Sequence, residues 1–170
     1  MRSGQATPTH RIRVVVTSSR DASRRTRSFL NFLVKLIPES MKINRGKQDL
    51  PQLLSRALIM GAEVVLLVNS NRGNPSEFLV YSVVTGEVKF KVRIAGIRLP
   101  HDSGDKVVLK PMKLCLGEIE CKELIDFLLI LGIKVGGGCD VLMNITRKGE
   151  LCLMSLEGLS NFHMTLQAIN

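Results

Sequence analysis

The sequence predicts an α/β fold of two similar halves, each a mixed sheet with helices. Three observations carry this reading. The run EVVLLVN (63–69) is apolar without alternation, the pattern of a strand covered on both faces. Stretches with helical apolar spacing are interleaved with β-branched runs along the chain. Residues 50–95 run helix, Gly, apolar strand, loop, strand, strand, and residues 117–169 echo this as helix, Gly, apolar strand, turn, strand, strand. Residue identities barely match between the two stretches, so the echo is one of architecture. The expected organisation is a disordered tail over 1–10 and a single domain over 11–170, with an N-terminal half of about 11–98 and a C-terminal half of about 106–170.

In chain order, RIRVVVT (11–17) is β-branched and bounded by polar residues, as strands are. A helix is predicted from about 21 to 37. On it Phe29, Leu33, Leu36 and Ile37 share one face, Arg24, Arg27, Asn31 and Lys35 share the opposite one, and Pro38 ends it. INRGKQD (43–49) is a basic loop. DLPQLLSRALIMG is a second helix, with Asp49 as N-cap, Gln52 three residues later, Pro51 in the first turn and Gly61 at the C-terminal cap. Leu50, Leu53, Leu54, Ala57 and Leu58 form its apolar face. SNRGNPS reads as a loop, and 77–84 with 87–95 as a hairpin around Thr85 and Gly86. In the second of these strands Val88, Phe90, Val92 and Ile94 alternate with Lys89, Lys91 and Arg93, one face core and the other basic. Residues 99–106 read as a linker, 107–110 as a short strand, and 117–132 as a helix ended by Gly132. Strands over 139–146 and 150–156 pair across a turn at 147–149, and 161–169 is the last strand.

A chain of 170 residues with 45% hydrophobic content holds one ordinary domain with a real core. No apolar run approaches the roughly 20 residues of a membrane span. The first residues, MRSGQATPTHR, lack the apolar core of a signal peptide, so a cytoplasmic protein is expected. The net charge of +9 is unevenly placed: residues 1–47 hold 11 Lys/Arg against 2 Asp/Glu, and residues 48–170 hold 13 of each. A neutral body with a basic end fits a polyanionic partner, nucleic acid or a membrane surface; solubility alone does not require one-sided placement. Cys115, Cys121, Cys139 and Cys152 form no CxxC pair and have no His at ligand spacing. Neither a zinc site nor a disulfide framework is expected, and Cys121, Cys139 and Cys152 read as small buried hydrophobes.

Signatures of catalysis are absent. There is no GxxxxGK[ST] loop, HExxH or GxSxG, His10, His101 and His163 are scattered, and VGGGCD (135–140) lacks the GxGxxG order. The expectation is a protein without enzyme activity, cofactor, metal or small-molecule substrate. The basic constellation is the informative feature. Arg20, Arg24, Arg25 and Arg27 start the first helix, where Ser18, Ser19 and helix N-terminal N–H groups are placed to hold phosphate. Arg45 and Lys47 flank Gly46, and Lys89, Lys91 and Arg93 form a strand stripe that alone reads as a solvated face. Exposed cations at a helix N-terminus oppose the macrodipole by about 0.3–1 kcal/mol each, and a bound polyanion reverses that sign. Aromatics make up only 4% of the chain, with one Tyr and no Trp. RNA contact should therefore be mainly to phosphate and shape, or be shared with a partner protein.

The pieces TSSRDAS after the first strand, INRGKQDLPQLLSRALIMGAEVVLLV and NRGNPSEFLVYSV resemble the Brix-domain family of ribosome-biogenesis proteins. The second piece looks like that family's sigma-factor-like segment. The likeness covers residues 12–84 well and the rest in outline. It is closest to the stand-alone archaeal form, similar to the branch that serves the eukaryotic small-subunit processome, without the long charged extensions of eukaryotic members. The resemblance implies two α/β halves, each like the anticodon-binding domain of class IIa aminoacyl-tRNA synthetases. It also implies a non-catalytic factor that binds ribosomal RNA precursors and assists their processing alongside other assembly proteins. The alternatives are a tRNA-binding accessory module and a protein-interaction scaffold with a basic face.

Overall fold

The computed structural model describes residues 11–103 and 110–169; the expected tail over 1–10 and the strand expected from 107 lie outside the described residues. The first group of elements is β1 (Val14–Ser18), α1 (Arg24–Leu36), β2 (Ser40–Lys42), α2 (Leu50–Ile59), β3 (Val64–Asn71), β4 (Asn74–Ser82) and β5 (Val88–Arg98). The second is β6 (Leu114–Ile119), α3 (Ile125–Ile130), β7 (Lys134–Val135), β8 (Val141–Lys148), β9 (Leu151–Glu157) and β10 (Leu159–Ile169). All ten strands join one mixed sheet in the order β2-β1-β3-β4-β5-β10-β9-β8-β6-β7. β1 runs parallel to β2 and β3, and β3, β4 and β5 form an antiparallel meander. β6 runs parallel to β7 and β8, with β8, β9 and β10 antiparallel. An antiparallel β5–β10 pair joins the two groups.

Both local sequence and tertiary packing explain these elements. Ser23 caps α1, its Oγ accepting from the Thr26 N–H, and the helix buries Phe29, Leu30, Phe32, Leu33 and Leu36. α2 begins with the reciprocal Asp49–Gln52 capping box and is followed by Gly61 at φ +82°, a conformation glycine adopts without cost. α1 and α3 lie in one continuous core with strands from both groups. Phe32 of α1 meets Phe162 of β10 at 4.4 Å between ring centres, and Phe78 of β4 meets Phe127 of α3 at 5.7 Å. A smaller core places Leu53 and Ala57 of α2 over Val15, Val65, Leu67, Tyr81 and Val83.

Several sequence expectations need correction. Residues 117–132 are not one helix: β6 runs to Ile119, a 3₁₀ turn covers Lys122–Leu124, and α3 has only six residues. The Asn144 Oδ1 accepts from the Glu118 N–H at 2.9 Å, and a Cβ on Gly117 would lie 2.2 Å from that oxygen. This close approach ties residues 117 and 118 to the neighbouring strand. The cysteines do form a disulfide framework, Cys115–Cys139 and Cys121–Cys152. The topology creates these pairs by bringing β6 against the loop before β8, and the start of the 3₁₀ turn against β9. The stretch SNRGNPS is a tight hairpin turn, with Arg72 and Gly73 both at positive φ. α1 begins at Arg24, so Arg20 and Asp21 belong to the preceding turn. Leu58 is 56% exposed, not part of the buried face. The short strands β2 and β7 carry too few apolar residues to have been anticipated.

Candidate nucleic-acid interface

Because β1, β2 and β3 are parallel, the loops that follow β1 and β2 leave from the same end of the sheet. Hydrogen bonds fix both loops. Thr17 Oγ1 donates to the Ile43 carbonyl at 2.8 Å, the Ile43 N–H donates to Val16 at 2.9 Å, and the Ser19 N–H donates to Val68 at 3.0 Å. Arg45 spans the gap, its Nε donating to the Gln48 carbonyl at 2.9 Å and its Nη1 to the Ser18 carbonyl at 3.4 Å. Burial pushes the nearby Tyr81 hydroxyl pKa up, while the Arg45 charge pulls it partly back.

Between the loops lies an open cleft of about 320 Å³, lined by Ser18, Arg20, Arg27, Lys42 and Arg45, with Asp21 as the single acid among the described residues that line it. Arg20 and Arg27 are exposed, and Lys42 Nζ donates to Asn31 Oδ1 at 3.0 Å. None of Arg20, Arg27, Lys42 or Arg45 joins an ion pair among the described residues, whose bridges engage Arg11, Arg13, Arg25 and Arg147. Four cations facing one carboxylate leave the cleft with a formal charge of +3. In a recess, such a field is focused on a polyanion.

The structure brings together Ser18, Arg20, Arg27 and Arg45 from the expected set, and separates the others. Ser18 is buried on the cleft floor. Arg24 lines a separate depression with Arg25, Ser28, Leu99 and Asp102. Arg25 forms an ion pair with Asp102, holding that carboxyl below its ordinary pKa, and donates to the Ile97 carbonyl at 3.2 Å. It is committed to the structure. Lys47 is exposed on the loop beyond Arg45 but does not line the cleft. Lys89, Lys91 and Arg93 lie on β5, with β3 and β4 between them and β1. The α1 N-terminus is partly satisfied from within: Ser23 Oγ accepts from Thr26 and donates to the Gly73 carbonyl at 2.6 Å. Lys42 was missed because it ends a three-residue strand with no apolar signature; its signal was membership of the basic N-terminal quarter. Cys121, Glu123 and Cys152 place their ligand atoms within 4.8 Å of one another, but the two sulfurs are bonded together, which leaves no thiolate for a metal.

No family model matches the chain. It is 39% identical over 140 residues to the "Probable Brix domain-containing ribosomal biogenesis protein" of Saccharolobus solfataricus, covering 79% of this chain and 81% of that one. A protein of the same name from Sulfurisphaera tokodaii is 35% identical over 136 residues, covering 79% and 76%. Among solved structures, a "probable ribosomal biogenesis protein" from Aeropyrum pernix superposes with a TM-score of 0.74 at 21% identity, covering 92% of this chain and 96% of that one. An archaeal Imp4-like protein gives 0.70 at 21% identity, covering 90% and 96%. At that identity the structural likeness shows the fold alone.

Proposed function

Since the chain belongs to the Brix-domain family of ribosomal biogenesis proteins, we propose that it is a non-catalytic factor that binds ribosomal RNA precursor during ribosome assembly. The cleft of Arg20, Arg27, Lys42 and Arg45 holds the RNA backbone. The observation that carries this reading is the convergence of four cations, without ion-pair partners among the described residues, from two loops and two elements on one recess. Among the described residues the cleft lining has no aromatic ring, so recognition is through phosphate and shape, not base stacking. The other readings of a basic face are a tRNA accessory module and a protein scaffold; the relatives, named as ribosomal biogenesis proteins, favour a role in ribosome assembly over a tRNA module. In this reading the protein works in the cytoplasm with other assembly proteins, and no helix among the described residues is long and apolar enough to cross a membrane.

We also read residues 11–170 as one domain, with halves of about 11–98 and 106–170 that use one structural unit twice, each similar to the anticodon-binding domain of class IIa aminoacyl-tRNA synthetases. The order of pairings supports this, with β6 to β10 occupying the places of β1 to β5. Superposing the two strand groups tests it, and a mismatch in strand direction or spacing contradicts it.

Arg20→Glu with Arg27→Glu tests the RNA reading. Both side chains are exposed, so circular dichroism should be unchanged. Affinity for ribosomal RNA fragments should fall across sequences alike, and the slope of log affinity against log salt should flatten by about 1 for each phosphate no longer neutralised. Unchanged affinity and slope in the folded variant would overturn the assignment.

A further inference from the structure

α2 covers one face of β1, β3 and β4. Where that face continues across β5, β10, β9 and β8, no helix among the described residues lies over it. Burial and register identify its residues. Val92 and Ile94 on β5, Phe162, Met164 and Leu166 on β10, and Cys152, Met154 and Leu156 on β9 point into the main core. The alternate residues lie on the outer side. A register shift opposite Thr165 and Leu166 brings Arg98 onto this side, paired with His163, while Arg93 pairs with Gln167 and Lys91 with Ile169. Across β9, His163 pairs with Ser155 and Thr165 with Leu153; across β8, Ser155 pairs with Asn144 and Thr146 with Leu153.

The chemistry of this surface distinguishes its occupant. The part under α2 is a run of apolar side chains, which suits a helix. The open part mixes hydroxyl, amide and imidazole groups on β10, β9 and β8 with the side chains of Leu142, Leu151 and Leu153, and is bordered by exposed Lys89, Lys91 and Arg93 on β5 and by Lys148 on β8. Its acids are engaged by amides: Glu77, opposite Arg93, accepts from Asn69 Nδ2 at 3.0 Å, and Glu157 accepts from Asn144 Nδ2 at 3.0 Å. A rim of cations around hydrogen-bonding groups complements a phosphate–ribose chain, whose 2′-hydroxyls donate and accept. It would leave a covering apolar helix over unmatched polar groups.

We propose that the outer face of β5, β10, β9 and β8 is a second RNA-contacting surface, which takes another segment of the RNA held by the cleft; this rests on the RNA-binding reading above. The experiment compares three folded proteins on the same ribosomal RNA fragments: the parent, the cleft variant Arg20→Glu/Arg27→Glu, and the face variant Lys91→Glu/Arg93→Glu. A milder variant, Lys89→Gln/Lys91→Gln, serves if the charge reversal disturbs the sheet. The face variant should bind about tenfold or more weakly, with a flatter salt slope, and RNA should protect β10 and β9 amides from hydrogen exchange in the parent. If the cleft variant loses affinity and the face variants do not, the second surface is wrong and the cleft assignment stands. If neither variant loses affinity, the RNA reading fails and this inference with it. If the face variants lose a co-purifying protein but keep RNA affinity, the face docks protein and the inference is overturned.

Discussion

The strand groups β1–β5 and β6–β10 have the same order of pairings but are held together differently. The first is covered by helices of 13 and 10 residues, one on each face, both capped by their own side chains. Among the described residues the second has a single α-helix, six residues long and without a side-chain cap, and two disulfides. Where the chain supplies amphipathic helices, burial of apolar side chains closes the structure. Where it supplies less helix, two disulfides add to a core shared with the first group. Chain entropy makes each of these bridges, with separations of 24 and 31 residues, worth about 3–4 kcal/mol. The cations differ too. Arg147 in the second group is paired with Glu123, whereas those lining the cleft of the first join no ion pair among the described residues.

The largest expected break in this comparison comes from the cysteines. Cys121→Ser with Cys152→Ser should lower stability by about 3–4 kcal/mol, read from denaturant unfolding. Hydrogen exchange should locate the loosening in β6, β8 and β9, with β1 and β3 little changed. Equal loosening of both groups would mean that the shared core, not the bridge, sets local stability in the second. A smaller effect comes from the contact between α1 and the segment after β5. Asp102 is about one-third exposed, so its pair with Arg25 contributes at most about 1 kcal/mol. Hydrogen bonding from Arg25 lowers the Asp102 pKa from 3.8. The contribution is therefore present above that value and is lost as pH falls through the lower folded value. Asp102→Asn should remove this acid-dependent part of the unfolding curve without changing RNA affinity; a loss of RNA affinity would show that Arg25 and Asp102 belong to the site.

The same contrast explains what could be read in advance. α2 was legible because its signals are local: an Asp and a Gln three residues apart, a Pro in the first turn and a Gly after the end. α1 was legible from its apolar spacing, although its N-cap is Ser23 and not the earlier turn. β6 was hidden because Ile119, Leu124, Phe127, Leu128 and Leu131 hold near-helical spacing, with Glu118 and Glu120 resembling first-turn acids. What ties its end to the sheet is Asn144, 26 residues from Glu118. The disulfides were hidden for the same reason, since tertiary contacts and not spacing choose the pairs. In the site, Arg20, Arg27 and Arg45 stood out as part of a charge run. Arg25 stood out equally, but its partner Asp102 lies 77 residues away, and only the fold shows that it is already engaged.

The central claim is that RNA backbone occupies the carboxyl end of the parallel strands β1 and β2. The most direct measurement is ultraviolet crosslinking of the whole chain to ribosomal RNA fragments, with the crosslinked peptides identified by mass spectrometry. Crosslinks within 18–27 and 42–47, the two stretches that supply the cleft, are the expected result. Crosslinks that fall wholly outside both stretches would contradict it.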